Sequence, residues 1–320
     1  MNILITGAAG FIGFSFSLYL SRKYKYNKLI CIDNLNTFYS KKYKLKRVNI
    51  LKKQKNIKFI KLDINSAKLN KIFKAQKIDL VFNFAAQAGV RYSITNPEKF
   101  IESNINGFFN ILELSKKYKI KKIFYASSSS VYGDTKKFPT LEKNNTGPTN
   151  VYSLSKEINE KLSKIYFKLY GLKSIGLRFF TVYGEWGRPD MFLFKLFKSS
   201  LNNEVFDLNN NGNHFRDFTY IDDVNKILEK MMKNYKTLDN DIYNICGGNS
   251  VNIFNLVKEF SKNNKIKVRK KPKNPADLLK THGSNKKLLK KIGNFSFKKI
   301  DKKLPIVFDW YKKNNINTIT

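Results

Sequence analysis

The sequence predicts an α/β protein: a doubly wound parallel sheet with helices on both faces and a smaller, interleaved C-terminal lobe. Three observations carry this reading. Short apolar runs alternate with longer stretches of helical period. The first run passes straight into a glycine-rich turn, and after about residue 180 the rhythm changes as Gly, Asn and Pro become frequent.

In chain order, the runs at 3–6, 29–33, 57–62, 80–84, 123–127 and 174–179 read as strands. Several are continuously apolar, as strands covered on both faces must be. Helical periodicity occupies 12–24, 97–118 and 151–170 between them. Strands joined through helices imply right-handed crossovers and hence parallel pairing. Segments rich in Gly, Asn and Pro follow at 184–189, 209–213 and 272–275, and a late run at 242–245 reads as a strand returning to the sheet. The expected division places 1–177 with 218–246 in the sheet domain, and 178–217 with 247–320 in the lobe.

The 320 residues carry a net charge of +37, with 61 basic side chains against 24 acidic. Only seven of the basic residues are Arg, and Lys is scattered along the whole chain. Nucleic-acid binders concentrate charge in a patch and use Arg for bidentate contacts. A codon bias acting on solvated positions is therefore the favoured reading, and no nucleic-acid partner is expected. A positive field still attracts an anionic substrate. No apolar run approaches the ~20 residues of a membrane span, so no membrane partner is expected. A strand that begins at Ile3 leaves no room for a signal peptide ahead of it. Cys31 and Cys246 lie far apart in separate strands, which supports neither a disulfide framework nor a zinc site. The expectation is a cytoplasmic protein without a metal.

The turn Thr6-Gly7-Ala8-Ala9-Gly10-Phe11-Ile12-Gly13 joins the first strand to the first helix. Gly7 permits a tight turn, Gly10 lets backbone approach a pyrophosphate, and Gly13 allows the helix to pack closely on the strand. Asp33 ends the second strand twenty residues beyond Gly13. A carboxylate there accepts from ribose hydroxyls and repels a 2′-phosphate, so NAD is expected rather than NADP. The arrangement is Rossmann-type; the bland alternative is a glycine turn followed by a helix-capping Asp. Asp63, closing the third strand, suits an adenine contact and a helix start equally.

Tyr152-Ser153-Leu154-Ser155-Lys156 opens a predicted helix, and a spacing of four puts Tyr152 and Lys156 on one face. A Tyr is a poor base at its ordinary pKa of about 10. A nearby ammonium and a cationic nicotinamide both favour the phenolate. Upstream, Ser127-Ser128-Ser129-Ser130-Val131-Tyr132-Gly133 places hydroxyls at the C-terminal edge of the fifth strand, where ligands bind in open parallel sheets. Alone, Tyr152 and Lys156 are an ordinary amphipathic pair; with the glycine turn and serine strand end they read as catalytic.

Over essentially its whole length the sequence resembles the extended short-chain dehydrogenase/reductase family, and within it the UDP-glucuronate 4-epimerases. The segments that carry the resemblance are TGAAGFIG, NFAAQAGVRYSITNP, ASSSSVYG, YSLSK, RFFTVYGEWGRPDM and HFRDFTYIDDV. It implies Ser128, Tyr152 and Lys156 as catalytic residues. It implies cofactor contacts from Gly7, Gly10, Phe11, Ile12, Gly13, Asp33, Asn34, Asp63, Ile64, Ala85 and Ala86 beside Tyr152 and Lys156. A UDP-sugar would be met by Gln87, Arg91, Ser128, Ser129, Thr181, Arg188 and Arg216, with Arg216 on the diphosphate; Arg91 has a surface ion pair as its other reading. A homodimer through two helices per subunit is also implied.

The implied reaction is a 4-epimerisation. Tyr152 takes the proton of the sugar 4-hydroxyl, hydride passes to NAD, the 4-keto sugar turns over and hydride returns to the opposite face. Such a keto-uronate is a β-keto acid, so its carboxylate must be held away from the geometry that releases carbon dioxide. At the positions of Arg188 and Thr181 these epimerases bind that carboxylate, a role that suits a planar fork and a hydroxyl donor; the bland alternative for Arg188 is a rim residue. Related dehydratases carry Asp-Glu just after the Ser/Thr, and related decarboxylases carry Glu just before the valine. Ser129 and Ser130 stand there instead. Two segments depart from the family pattern: Pro275-Ala276-Asp277 replaces Gly-Asp, and Thr281-His282-Gly283-Ser284 replaces Thr-Tyr-Ala-Asp.

Overall fold

The computed structural model describes residues 1–274 and 277–319. Its first half alternates β1 (Asn2–Thr6), α1 (Phe11–Lys23), β2 (Lys28–Asp33), α2 (Lys41–Lys52), β3 (Ile57–Lys61), α3 (Lys68–Gln76) and β4 (Leu80–Asn83). Two short helices, α4 (Tyr92–Thr95) and α5 (Pro97–Phe100), lead to α6 (Gly107–Lys117), β5 (Lys122–Ser128), α7 (Val151–Tyr170) and β6 (Ser174–Phe179). Then come β7 (Thr181–Tyr183), α8 (Phe192–Leu201), β8 (Val205–Asn209), β9 (Phe215–Tyr220), α9 (Ile221–Lys233) and β10 (Asp241–Ile245). The chain ends with β11 (Ser250–Asn252), α10 (Ile253–Ser261), β12 (Lys267–Lys271), α11 (Lys286–Ile292) and α12 (Ile300–Lys313).

Seven strands form one parallel sheet in the order β10-β6-β5-β4-β1-β2-β3. The chain runs outward from β1 to β3, then crosses back to β4 on the other side of β1. Adjacent loops diverge at that switch point, and a crevice opens above the C-terminal strand ends. Successive residues of β1 alternate between two cores: Ile3 and Ile5 pack with α1, Leu4 with the opposite layer. Phe82 and Phe124 stack at 4.6 Å between β4 and β5, both fully buried. Burial of each such ring contributes about 1.5–3 kcal/mol. Two smaller sheets, β11-β9-β7 and β12-β8, are formed apart from the seven-stranded one, and β9 (Phe215–Tyr220) crosses the boundary expected at 217/218.

The helix expected over 97–118 is present over 97–117 but is not α-helical throughout. After α5 the backbone widens into a π-helical turn at Ile101–Asn106 before α6 resumes. Such turns recur at functional sites. Here it delivers the buried Asn104 to the loop after β4, where Asn104 accepts from the N–H of Gln87 (2.8 Å) and donates to its carbonyl (3.0 Å). Gly107 has no room for a Cβ, which would lie 2.4 Å from the Ile64 side chain.

Candidate active site

The crevice is a cleft running across the strand ends, with about 1330 Å³ of empty space when the open solvent at its mouth is included. Its cofactor end is built by the first turn. Gly7 has φ +65°, and a Cβ there would meet Ala85 N at 2.7 Å; a Cβ on Gly13 would lie 2.3 Å from the Gly7 carbonyl oxygen. The glycines thus bring α1 against the strand ends. Its N-cap, Gly10, supplies no capping side chain, and its first turn has no acidic residue, so the helix end is open to an anion. Asp33 is buried at the tip of β2, accepting from the N–H of Ala9 (3.0 Å) and of Leu35 (2.8 Å). Asp63 lines the cleft, accepting from Asn34 (2.7 Å) and from Asn65 N (2.8 Å) at a turn, while the next helix begins only at Lys68. This donor set suits a dinucleotide, with phosphates at Gly10 and a ribose at Asp33.

The reactive end lies where β5 and α7 meet. Asn150 and Ser153 form a reciprocal capping box, which starts α7 at Val151 and places Tyr152 in its first turn. Lys156, one turn on, is buried and donates to the Ala126 carbonyl at 2.9 Å. Burial lowers its pKa to about 8. Burial raises the pKa of Tyr152, while the Ser128 hydroxyl and the Arg188 charge pull it down. Tyr152 is therefore a phenol at neutral pH in the protein alone. Ser128 accepts from Ser130 N at 3.1 Å, which fixes its hydroxyl at the strand end. Behind it lies a network that sequence reasoning missed. Ser127 donates to Glu160 (2.6 Å), and Arg178 grips the same carboxylate at 2.8 and 2.7 Å, with both side chains of the pair about 5% exposed.

The third wall is the loop 184–190. Arg188 lies in the cleft, its guanidinium 5.5 Å from the centre of the Phe38 ring. Sequence reasoning overlooked its partner Asp190, which accepts from Nε (3.0 Å) and Nη2 (2.5 Å). Among the described residues Nη1 has no acceptor. Burial opposes the Arg188 cation, but Asp190 more than offsets it and keeps its pKa above the ordinary value. Burial likewise opposes the Asp190 carboxylate, and Arg188 overrides this to hold its pKa low.

The cleft gathers Gly7, Gly10, Phe11, Ile12, Gly13, Asp33, Asn34, Asp63, Ile64, Ala85, Ala86, Gln87, Ser128, Tyr152, Lys156 and Arg188. Four expected substrate residues lie outside its walls. Arg91 is a half-exposed partner of Asp277, at 3.2 and 2.7 Å, as its surface-pair reading had it. Ser129 begins a single 3₁₀ turn, Ser129–Tyr132, just past the strand end. Arg216 donates to the carbonyls of Phe215 (2.9 Å) and Leu279 (3.3 Å). Thr181 lines a smaller apolar pocket that adjoins the cleft through Val182, Arg188 and Met191. Pro275 and Ala276 lie outside the described residues. The cleft walls also include Asn36, Phe38, Tyr39, Lys44 and Ser103, which no sequence motif singled out.

A dinucleotide turn facing a Ser–Tyr–Lys constellation across the switch point defines a nicotinamide-dependent enzyme of the short-chain dehydrogenase/reductase type. The pattern of the NAD dependent epimerase/dehydratase family matches residues 3–246, and the chain belongs to that family. NAD is its cofactor. The chain is 40% identical over 257 residues to a UDP-glucuronate 4-epimerase of Thermodesulfobacterium geofontis, covering 79% of this chain and 78% of that one. Its fold is similar to that of a UDP-glucuronic acid 4-epimerase from Bacillus cereus crystallised with UDP-glucuronic acid and NAD. The TM-score is 0.92 at 28% identity, over 98% of this chain and 100% of that one. A UDP-glucose 4-epimerase from Thermotoga maritima, crystallised with UDP-glucose, is similar with a TM-score of 0.87 at 28% identity, over 98% and 100% of the two chains.

Proposed function

We propose that the protein interconverts UDP-glucuronate and UDP-galacturonate by reversible 4-epimerisation with NAD held tightly throughout. The observation that carries the uronate part is Arg188, a cation in the same cleft as Tyr152 and Ser128 with Nη1 unclaimed. NAD, when bound, supplies a reversible hydride acceptor. Tyr152 takes the 4-hydroxyl proton, and Ser128 hydrogen-bonds the same oxygen. Lys156 adds a nearby positive charge that favours the phenolate. Arg188 holds the carboxylate of the 4-keto sugar, with Thr181 contributing from the adjoining pocket, so that decarboxylation is disfavoured. Gln87 meets the sugar nucleotide from the cleft wall, and Arg216, beyond that wall, serves its diphosphate. Residues 1–177 with 218–246 make up the cofactor part, while 178–217 with 247–320 hold the nucleotide sugar.

Incubation with UDP-glucuronate, followed by NMR, is expected to show UDP-galacturonate; none would sink the proposal. Release of carbon dioxide and a UDP-pentose would mark a decarboxylase instead. The likeness to the Thermotoga enzyme favours a second reading, 4-epimerisation of neutral UDP-sugars. Arg188→Met decides between them. On the uronate reading it raises KM for UDP-glucuronate by about 10-fold or more, the worth of a charge-assisted hydrogen bond. On the neutral-sugar reading it leaves the preference between UDP-glucose and UDP-glucuronate unchanged.

We also propose a homodimer through α7 and the helical stretch before it. Ile101 and Phe109 on one, and Leu154, Ile165 and Leu169 on the other, are exposed apolar side chains at helical spacing. Light scattering is expected to give the mass of two chains for the wild type and of one for a Phe109→Lys/Ile165→Lys double variant. A single-chain mass for the wild type would refute the dimer. The two buried free thiols, Cys31 and Cys246, suit a reducing compartment, so we place the enzyme in the cytoplasm.

A further inference from the structure

Arg47, on α2, is fully buried, and every acceptor it meets is neutral. Nη1 donates to the Ala9 carbonyl at 2.8 Å, inside the cofactor turn, and to the Tyr39 hydroxyl at 2.6 Å. Nη2 donates to the carbonyls of Trp186 and Gly187 (the latter at 3.2 Å), the two residues that precede Arg188. The guanidinium lies 4.4 Å from the centre of the Tyr43 ring, and among the described residues Nε has no partner.

This is an awkward way to stabilise a core. A buried cation without a counter-charge keeps much of its desolvation penalty, and an apolar chain of similar volume would pack the same rings without it. What the guanidinium provides is reach: a rigid planar fork that can span two loops, which neither an ammonium nor a methyl group can do. One of those loops needs holding. Trp186 has φ +59°, a left-handed conformation that a non-glycine residue keeps only when its surroundings impose it. Its ring is wedged among Phe14, Tyr43 and Trp310 at 5.2–5.4 Å, and its carbonyl is taken by Arg47.

We propose that Arg47 is a positioning residue that fixes the Arg188 loop against the cofactor turn, so that recognition of a sugar carboxylate depends on it. The inference rests on the reading that Arg188 takes that carboxylate. Arg47 lies outside the cleft walls and acts only through the residues it ties together.

Calorimetric Kd values for UDP-glucuronate and for UDP, measured on NAD-saturated wild type, Arg188→Met, Arg47→Met and Arg47→Lys, test it. Arg47→Met is expected to weaken UDP-glucuronate by about 10-fold, in line with the cost of a small misplacement in a site, with UDP changed much less. Arg47→Lys, which keeps the charge but not the fork, should fall between Arg47→Met and wild type. A purely structural role would weaken both ligands alike or leave both unchanged, and either result overturns the proposal. If Arg47→Met does not fold, Arg47→Lys decides, and a wild-type ratio of the two Kd values refutes the inference. If Arg188→Met itself fails to discriminate the ligands, the carboxylate reading is what falls, and this inference falls with it.

Discussion

Tyr152→Phe is expected to lower kcat by about 10²–10⁴-fold, the usual contribution of a positioned acid–base group, while KM and bound NAD change little. The substitution removes one oxygen. The ring keeps its edge-on contact with Phe100 at 6.0 Å and its place in the first turn of α7, whose cap is made by Asn150 and Ser153 and not by Tyr152. Of the nearby serine hydroxyls, Ser128 is tied to Ser130, and Ser127 is committed to the Glu160 carboxylate. Nor can Lys156 take over, since its ammonium is committed to the Ala126 carbonyl. Progress curves on UDP-glucuronate, with the NAD content measured on the same preparation, check this. A kcat within 10-fold of wild type would place the proton acceptor elsewhere.

The largest effect on stability is expected from Glu160→Ala. This change leaves Arg178 buried between α7 and β6 with its counter-charge gone, and breaking a buried pair from one side costs about 3–5 kcal/mol. For a chain of this size that corresponds to a melting temperature lower by roughly 4–7 °C. Ser127 loses its acceptor at the same time, so the strand end that presents Ser128 loosens and kcat should fall further than the stability loss explains. Glu160→Gln keeps the acceptor for Ser127 and should recover much of the activity. Thermal melts and initial rates on both variants separate the two effects. Equal melting of Glu160→Ala and wild type would show that the pair contributes nothing net.

What could be read from the sequence were features that one local segment specifies completely. Gly7, Gly10 and Gly13 announce a close strand–helix turn because only glycine tolerates the contacts they make, and Asp33 follows at the spacing of a β-α-β unit. The Tyr152 to Lys156 spacing is likewise a property of one helix. What stayed hidden depends on pairs distant in sequence or on competition for one group. Arg47 looks like any basic residue on a lysine-rich helix until the fold buries it under Trp186. The motif shows Arg188 but not that Asp190, two residues on, claims half of its fork. Arg91 stands in a stretch that suggests a pocket wall, yet Asp277, 186 residues away, draws it to the surface. The π-helical turn at Ile101–Asn106, which carries Asn104 beside Gln87, has no apolar signature that sets it apart from the helix around it.

The position of β10 bears on how the chain is made. It pairs with β6 and forms one border of the seven-stranded sheet, although 61 residues of lobe and helix separate the two strands. Until residue 245 has left the ribosome, β6 offers an open row of backbone donors and acceptors. At roughly 5–20 residues per second that interval lasts about 3–13 s. A bare parallel edge is a template for another chain, so the nascent protein is most vulnerable to aggregation when its cofactor turn and Ser–Tyr–Lys residues are already complete. Any shortened form that stops before β10 inherits that exposed border permanently.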